Sequence, residues 1–147
     1  MYIKAFITIL FFCVLILFIG CSTEKVSDIR ITDMRCEYRA NPLGIDERQP
    51  RLSWIPVSDL RGQTQTAYEI IVASDENKIN QNNGDLWSTG KVNSNQTINV
   101  VYMGKELDSG QRSFWKVRIW DQDDTVSDWS DMAWWEMALL NPEDWTG

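Results

Sequence analysis

The 147-residue chain contains no histidine. That excludes His-based acid–base catalysis, Ser–His and Cys–His nucleophile pairs, and His-ligated metal sites. Basic residues are in deficit, 14 against 21 acidic, for a formal net charge of −7. No basic patch is available to neutralise phosphates, so nucleic acid is excluded as a partner. No long stretch carries apolar residues at helical spacing, which argues against a helical architecture. Cysteine is scarce: Cys13, Cys21 and Cys36 are the three present. Only Cys36 falls among strand-like residues, so no internal disulfide framework is expected. It reads as a small buried hydrophobe, with a reactive thiol as the alternative. Nothing in the sequence calls for a cofactor or a metal.

What the chain has in abundance is tryptophan, eight residues, seven of them from Trp87 onward. Such rings either fill a small core or form a surface on which sugars stack. The organising stretch is Phe114-Trp115-Lys116-Val117-Arg118-Ile119-Trp120-Asp121. It alternates at period two, with Trp115, Val117 and Ile119 on one face and Phe114, Lys116, Arg118 and Trp120 on the other. Large aromatics and β-branched residues together predict a central strand. Its partner is predicted over Met132 to Leu139, after Ser127-Asp128-Trp129-Ser130.

The N-terminus reads as an address. Ala5 to Ile19 is apolar and uncharged, as long as a signal-peptide core and short for a membrane-spanning helix. It ends in Leu17-Phe18-Ile19-Gly20-Cys21, followed by polar residues. This resembles a bacterial lipobox, although Phe18 stands where Leu is usual. The resemblance implies a lipoprotein whose Cys21 carries the lipid, and two or three acyl chains there would anchor stably. Ser22 after the cysteine favours the outer membrane of a cell envelope, on its periplasmic face or at the cell surface. An ordinary signal peptide or a short anchor is the alternative.

The expected organisation is a signal segment at 1–20, a polar tether at 21–28, a β-sandwich at 29–140, and from 141–147 the start of a linker to a following domain. Ile29 to Tyr38 predicts a first strand with a bulge, because the inward phase shifts by one residue between Ile31 and Met34. Pro50 to Trp54 predicts a second, with Leu52 and Trp54 inward and Pro56 ending it or marking an edge. Thr66 to Ser74 predicts a third, with Tyr68, Ile70 and Val72 on one face. Asp75 to Asp85 holds at most one helical turn around Lys78. Short strands follow at Leu86 to Val92 and Ile98 to Tyr102. The whole is an all-β sandwich of about seven strands.

The order of these features resembles a fibronectin type III or immunoglobulin-like domain. The Tyr expected at the corner before the central strand is replaced by Phe114-Trp115, which puts a tyrosine-corner hydrogen bond in doubt. A sharper resemblance is to the opening of bacterial α-L-rhamnosidases. Ile31-Thr32-Asp33-Met34-Arg35-Cys36-Glu37-Tyr38, Asn41-Pro42-Leu43-Gly44-Ile45-Asp46 and Pro50-Arg51-Leu52-Ser53-Trp54 carry it. So do Gly84-Asp85-Leu86-Trp87-Ser88, Tyr102-Met103-Gly104-Lys105, the central strand, and Trp135-Glu136-Met137 through Asn141-Pro142-Glu143-Asp144-Trp145. The resemblance implies an accessory module ahead of a sugar-binding jelly roll and an (α/α) barrel. In that family the barrel holds the carboxylates that cleave rhamnosides with inversion, and none of them has a counterpart here.

Asp121-Gln122-Asp123-Asp124-Thr125 is faintly similar to a calcium loop. Val126 stands where Gly is needed and Met132 where a bidentate Glu is needed, so a solvated hairpin turn is expected. Two uses remain open for the outward face of the central strand. Trp129 can stack on Lys116 or Arg118, as in the Trp-Ser motif of cytokine-receptor domains. Alternatively Trp120, Trp129 and Trp134 stay open as a platform for rhamnose-containing glycans. The expected function is that of a membrane-anchored, non-catalytic module that spaces or braces downstream catalytic domains. A stand-alone carbohydrate-binding or interaction lipoprotein is the alternative.

Overall fold

The computed structural model describes residues 25–145. The signal segment and Cys21 lie outside them. Seven strands form two antiparallel sheets. One holds β1 (Arg30–Cys36), β2 (Arg51–Val57) and β5 (Val100–Val101), in the order β1-β2-β5. The other holds β3 (Ala67–Ala73), β4 (Trp87–Ser88), β6 (Arg112–Trp120) and β7 (Ala133–Glu136), in the order β4-β3-β6-β7. The sandwich expected from the alternating segments is the fold observed.

β6 is central, paired with β3 along its length and with β7 at its start. Trp115, Val117 and Ile119 are fully buried between the sheets with Leu52, Trp54, Tyr68, Ile70 and Val72. Trp54 meets Tyr68 edge-on at 5.3 Å, and Tyr102 meets Trp87 and Trp135 edge-on at 5.3 and 5.6 Å. Such pairs add to the burial of the rings themselves. Cys36 is part of this core, and burial, with Glu37 nearby, pushes its thiol up to about 12.

Part of the outer face of β3 and β6 is covered too. Helix α1 (Glu76–Asn80) lays Ile79 over Ile71, Ala73 and Phe114. Its first turn is capped by Asp75, whose Oδ1 accepts from Lys78 N at 3.0 Å. This single turn is the helix predicted around Lys78.

The β1–β2 register shifts between Thr32 and Arg35, the bulge predicted from the change of phase. Tyr38 does not continue the strand: Glu37 and Tyr38 turn into the left-handed region, and the Tyr38 ring lies exposed under Arg51 at 5.2 Å. Pro56 does not end β2, which runs on to Val57. Trp54 N–H points away from β1 and donates to Thr97 O at 2.9 Å. Pro56, two residues on, faces that same side, beyond the reach of β5, where no ladder bond is lost.

Gln65, in the loop before β3, is buried. Its Oε1 accepts from Trp54 Nε1 at 3.0 Å, and its Nε2 donates to Ser94 O and Gln96 O. A buried indole N–H requires an acceptor, and Gln65 supplies it while pinning the β4–β5 connection.

The chain enters at one end and leaves at the other. Ser27 N donates to Val126 O and its hydroxyl to Asp121 Oδ2 at 2.7 Å, beyond the end of β6. Ser27 and Asp28, the close of the stretch read as a tether, are therefore already bonded to the sandwich. After β7 the chain folds into a 3-10 turn, Pro142–Trp145, held by Ser109 just before β6 begins. The nine residues of β6 separate the two ends by about 30 Å.

Candidate functional site

The outward side chains of β6 build a row of cations and indoles. Arg118 faces Glu69 across the β3–β6 ladder, and its Nε donates to Glu69 Oε2 at 2.7 Å. That bond holds the guanidinium flat on the sheet, with its carbon 4.6 Å from the centroid of Trp129 and 5.3 Å from that of Trp120. Lys91 adds its ammonium 4.9 Å from the Trp120 ring and pairs with Asp124. Arg112, bound twice to Glu136, lies 4.2 Å over Trp134. Of the two cations named from the sequence, Arg118 is the one over Trp129. Lys116, opposite Ile71, shows no side-chain ion pair or ring contact among the described residues.

Trp129 reaches this row because of the serines on either side of it. Ser127 N donates to Ile119 O and Ser130 N to Val117 O, both at 2.8 Å. In return Ile119 N donates to Ser127 Oγ and Val117 N to Ser130 Oγ, both at 3.1 Å. Each hydroxyl takes the place of a carbonyl on a neighbouring strand. The edge of β6 is thereby satisfied before β7 begins at Ala133, and Trp129 is left projecting onto the outer face. Trp120, Trp129 and Trp134 are all half-buried with cations over them.

Three of the acidic residues, Asp75, Asp85 and Asp121, serve structure. Asp121 is buried, and its Oδ1 accepts from Asp123 N and Thr125 N at 2.9 and 3.0 Å. Burial alone would raise its carboxyl, but the bonds from Ser27, Thr125 and Asp123 outweigh it and lower it. The loop is thus a hairpin turn folded around one carboxylate. Asp75 and Asp85 come together around Lys78 Nζ, at 3.4 and 2.9 Å. Burial opposes ionisation of Asp85, yet donors from Lys78 and Ser74 hold it down at about 2. A carboxyl so acidic cannot serve as the proton donor that glycoside hydrolysis requires. Among the described residues no three His, Cys, Asp or Glu side chains converge to hold a metal ion.

Two of the segments that carry the family resemblance pack on each other. Lys105 N donates to Leu86 O at 3.0 Å, and Tyr102 meets Trp87 edge-on. A Cβ at Gly104 would lie 2.6 Å from Leu86 O and from Trp87 Cβ, so only glycine fits between them.

Residues 31–141 match the family described as the Rha78A-like, N-terminal immunoglobulin domain. The chain belongs to this family. An α-L-rhamnosidase of Streptomyces avermitilis is 40% identical over 121 residues, which is 82% of this chain and 12% of that protein. One of Formosa agariphila is 38% identical over 144 residues, 97% of this chain and 15% of the relative. The solved structure of an α-L-rhamnosidase from Dictyoglumus thermophilum matches with a TM-score of 0.78 at 39% identity, covering 85% of this chain and 14% of that one. That of the Streptomyces avermitilis enzyme complexed with L-rhamnose matches at 0.76 and 40% identity, covering 80% of this chain and 11% of that one. This immunoglobulin-like domain is therefore a small part of the rhamnosidases it resembles.

Proposed function

We propose that the chain is a non-catalytic accessory module of an α-L-rhamnosidase-like glycoside hydrolase. It is held at the membrane through lipid on Cys21, and it spaces and braces the catalytic part. The observation that carries this reading is the match of nearly the whole described domain to 12% and 15% of two α-L-rhamnosidases. The position of the chain's entry and exit at opposite ends of β6 supports the spacing role. It sets the following residues about 30 Å from the tether. The cations over Trp120, Trp129 and Trp134 support a structural use of that face over an open glycan platform. On this reading the protein resides in a bacterial cell envelope, at the outer membrane, and rhamnose-containing glycans meet the downstream domains.

The test is an assay on p-nitrophenyl α-L-rhamnoside. The purified 147-residue chain should not turn it over, and a polypeptide continuing through the downstream reading frame should. Turnover by the chain alone that survives repurification and vanishes when one of its Asp or Glu residues is changed would overturn the proposal.

A further inference from the structure

Asn83-Gly84 joins helix α1 to β4, and Asn83 is exposed. The carboxamide of an asparagine is open to attack by the amide nitrogen of the next residue, once that nitrogen has lost its proton. Two things oppose the attack. A side chain on the next residue shields its nitrogen, and a hydrogen bond from its N–H holds the proton in place. Most asparagines of this chain are protected in one of these ways. Asn41 and Asn141 precede prolines, which have no N–H. After Asn77, Lys78 N donates to Asp75 Oδ1 at 3.0 Å. After Asn80, Gln81 N donates to Asn77 O at 3.2 Å, and after Asn82, Asn83 N donates to Lys78 O at 2.9 Å. After Asn95, Gln96 N donates to Ser94 Oγ at 3.1 Å.

Asn99 is followed by the buried, branched Val100 of β5, and Asn93 by Ser94, whose side chain shields its nitrogen. Asn83 is different on both counts. Its successor is glycine, and among the described residues neither the Gly84 N–H nor the Asn83 carboxamide has a hydrogen-bond partner. Both reacting groups are therefore unshielded and unheld, in a loop open to water.

We propose that Asn83-Gly84 is a self-modification site whose isoaspartate product opens the β4 edge of the sandwich. Gly84 N forms a bond to Asn83 Cγ. The Cγ–Nδ2 bond breaks, and the carboxamide nitrogen leaves as ammonia, taking the proton that Gly84 N gave up. The cyclic imide then adds one water, and no oxidation or reduction is involved. Opening at Cγ leaves an ordinary aspartate at 83. Opening at the main-chain carbonyl leaves isoaspartate, in which the backbone runs through the former side chain and is one methylene longer. That product does not fit here. A Cβ at Gly84 would collide with the Trp87 carbonyl oxygen and lie 3.0 Å from Ile71 Cβ, so Gly84 has no room to shift inward. The residues just beyond it are held to β3 by Leu86 N to Val72 O and Thr89 N to Ile70 O, both at 3.0 Å. β4 is the outermost strand of its sheet, so the added length is relieved by lifting it from β3.

The test incubates the 147-residue chain, in detergent, in mildly alkaline buffer. Peptide mapping by mass spectrometry follows each asparagine, and an isoaspartyl methyltransferase labels the isoaspartate. Asn83 should convert roughly tenfold or more faster than Asn93, because Gly84 lacks the Cβ that Ser94 carries. In the isoaspartate fraction the Leu86 and Thr89 amides should exchange about tenfold or more faster, while those of β6 keep their protection. Asn83→Gln, whose longer side chain closes the ring far more slowly, should keep slow exchange at Leu86 and Thr89 after the same incubation. Conversion of Asn93 as fast as Asn83 overturns the proposal. Isoaspartate at 83 with Leu86 and Thr89 still protected also overturns it. So does equal loosening of β4 in Asn83→Gln, since its cause would then lie elsewhere.

Discussion

The Arg118 guanidinium carbon lies 4.6 Å from the centroid of the Trp129 ring, while its Nε is bound to Glu69. The bond fixes the cation, and the cation covers the indole. A double-mutant cycle with Arg118→Ala and Trp129→Ala should give a coupling of about 0.5–1 kcal/mol. Titration with rhamnose-containing oligosaccharides should leave the Trp fluorescence unsaturated. Saturable quenching lost in a folded Trp129→Ala variant would reassign this face to glycan binding.

Trp115 is completely buried where the two sheets meet. Trp115→Ala should cost about 3–5 kcal/mol through lost burial and the cavity left behind. That is a large share of the ~5–15 kcal/mol available to a domain of this kind. Urea unfolding followed by far-ultraviolet circular dichroism measures it, and an unchanged midpoint would contradict the packing.

The Asp85 carboxyl is held down at about 2, against about 3.9 in an unfolded chain. Its folded value is the lower one, so its contribution is complete above about pH 4 and is lost as the pH falls toward 2. Asp85→Asn should lower stability at pH 7 and make it fall less steeply between pH 4 and 2. Denaturation midpoints measured across that range provide the check, and parallel curves for the two proteins would count against it.

Cys21 is the proposed lipid site. Cys21→Ala should leave a full-length precursor that takes up no labelled palmitate. Normal processing and labelling of the variant would dismiss the anchor.

Gly104 separates Tyr102 from the Leu86 carbonyl. Gly104→Ala would force two tightly packed backbones apart, and it should lower the thermal midpoint by several degrees without changing the secondary structure.

The strands were legible in the sequence because a two-residue period has one physical cause. A residue facing the core is apolar and its neighbour faces out, so Trp115, Val117 and Ile119 declared their side of β6. The bulge after Ile31 was legible for the same reason, as a slip of that phase. The helical turn at Lys78 could be placed because Asp75 caps it locally.

What the sequence could not contain is anything decided by residues far apart along the chain. Gln65 looks like loop, and only the approach of Trp54 Nε1 makes it a buried acceptor. Ser127 and Ser130 look like polar spacers until β6 presents the Ile119 and Val117 amides to them. Lys116 and Arg118 have the same periodicity and charge. The residues opposite them on β3 are what differ: Glu69 gives Arg118 an anchor, and Ile71 gives Lys116 none. Alternation assigns a side chain to a face, but pairing between strands decides which partner it finds there.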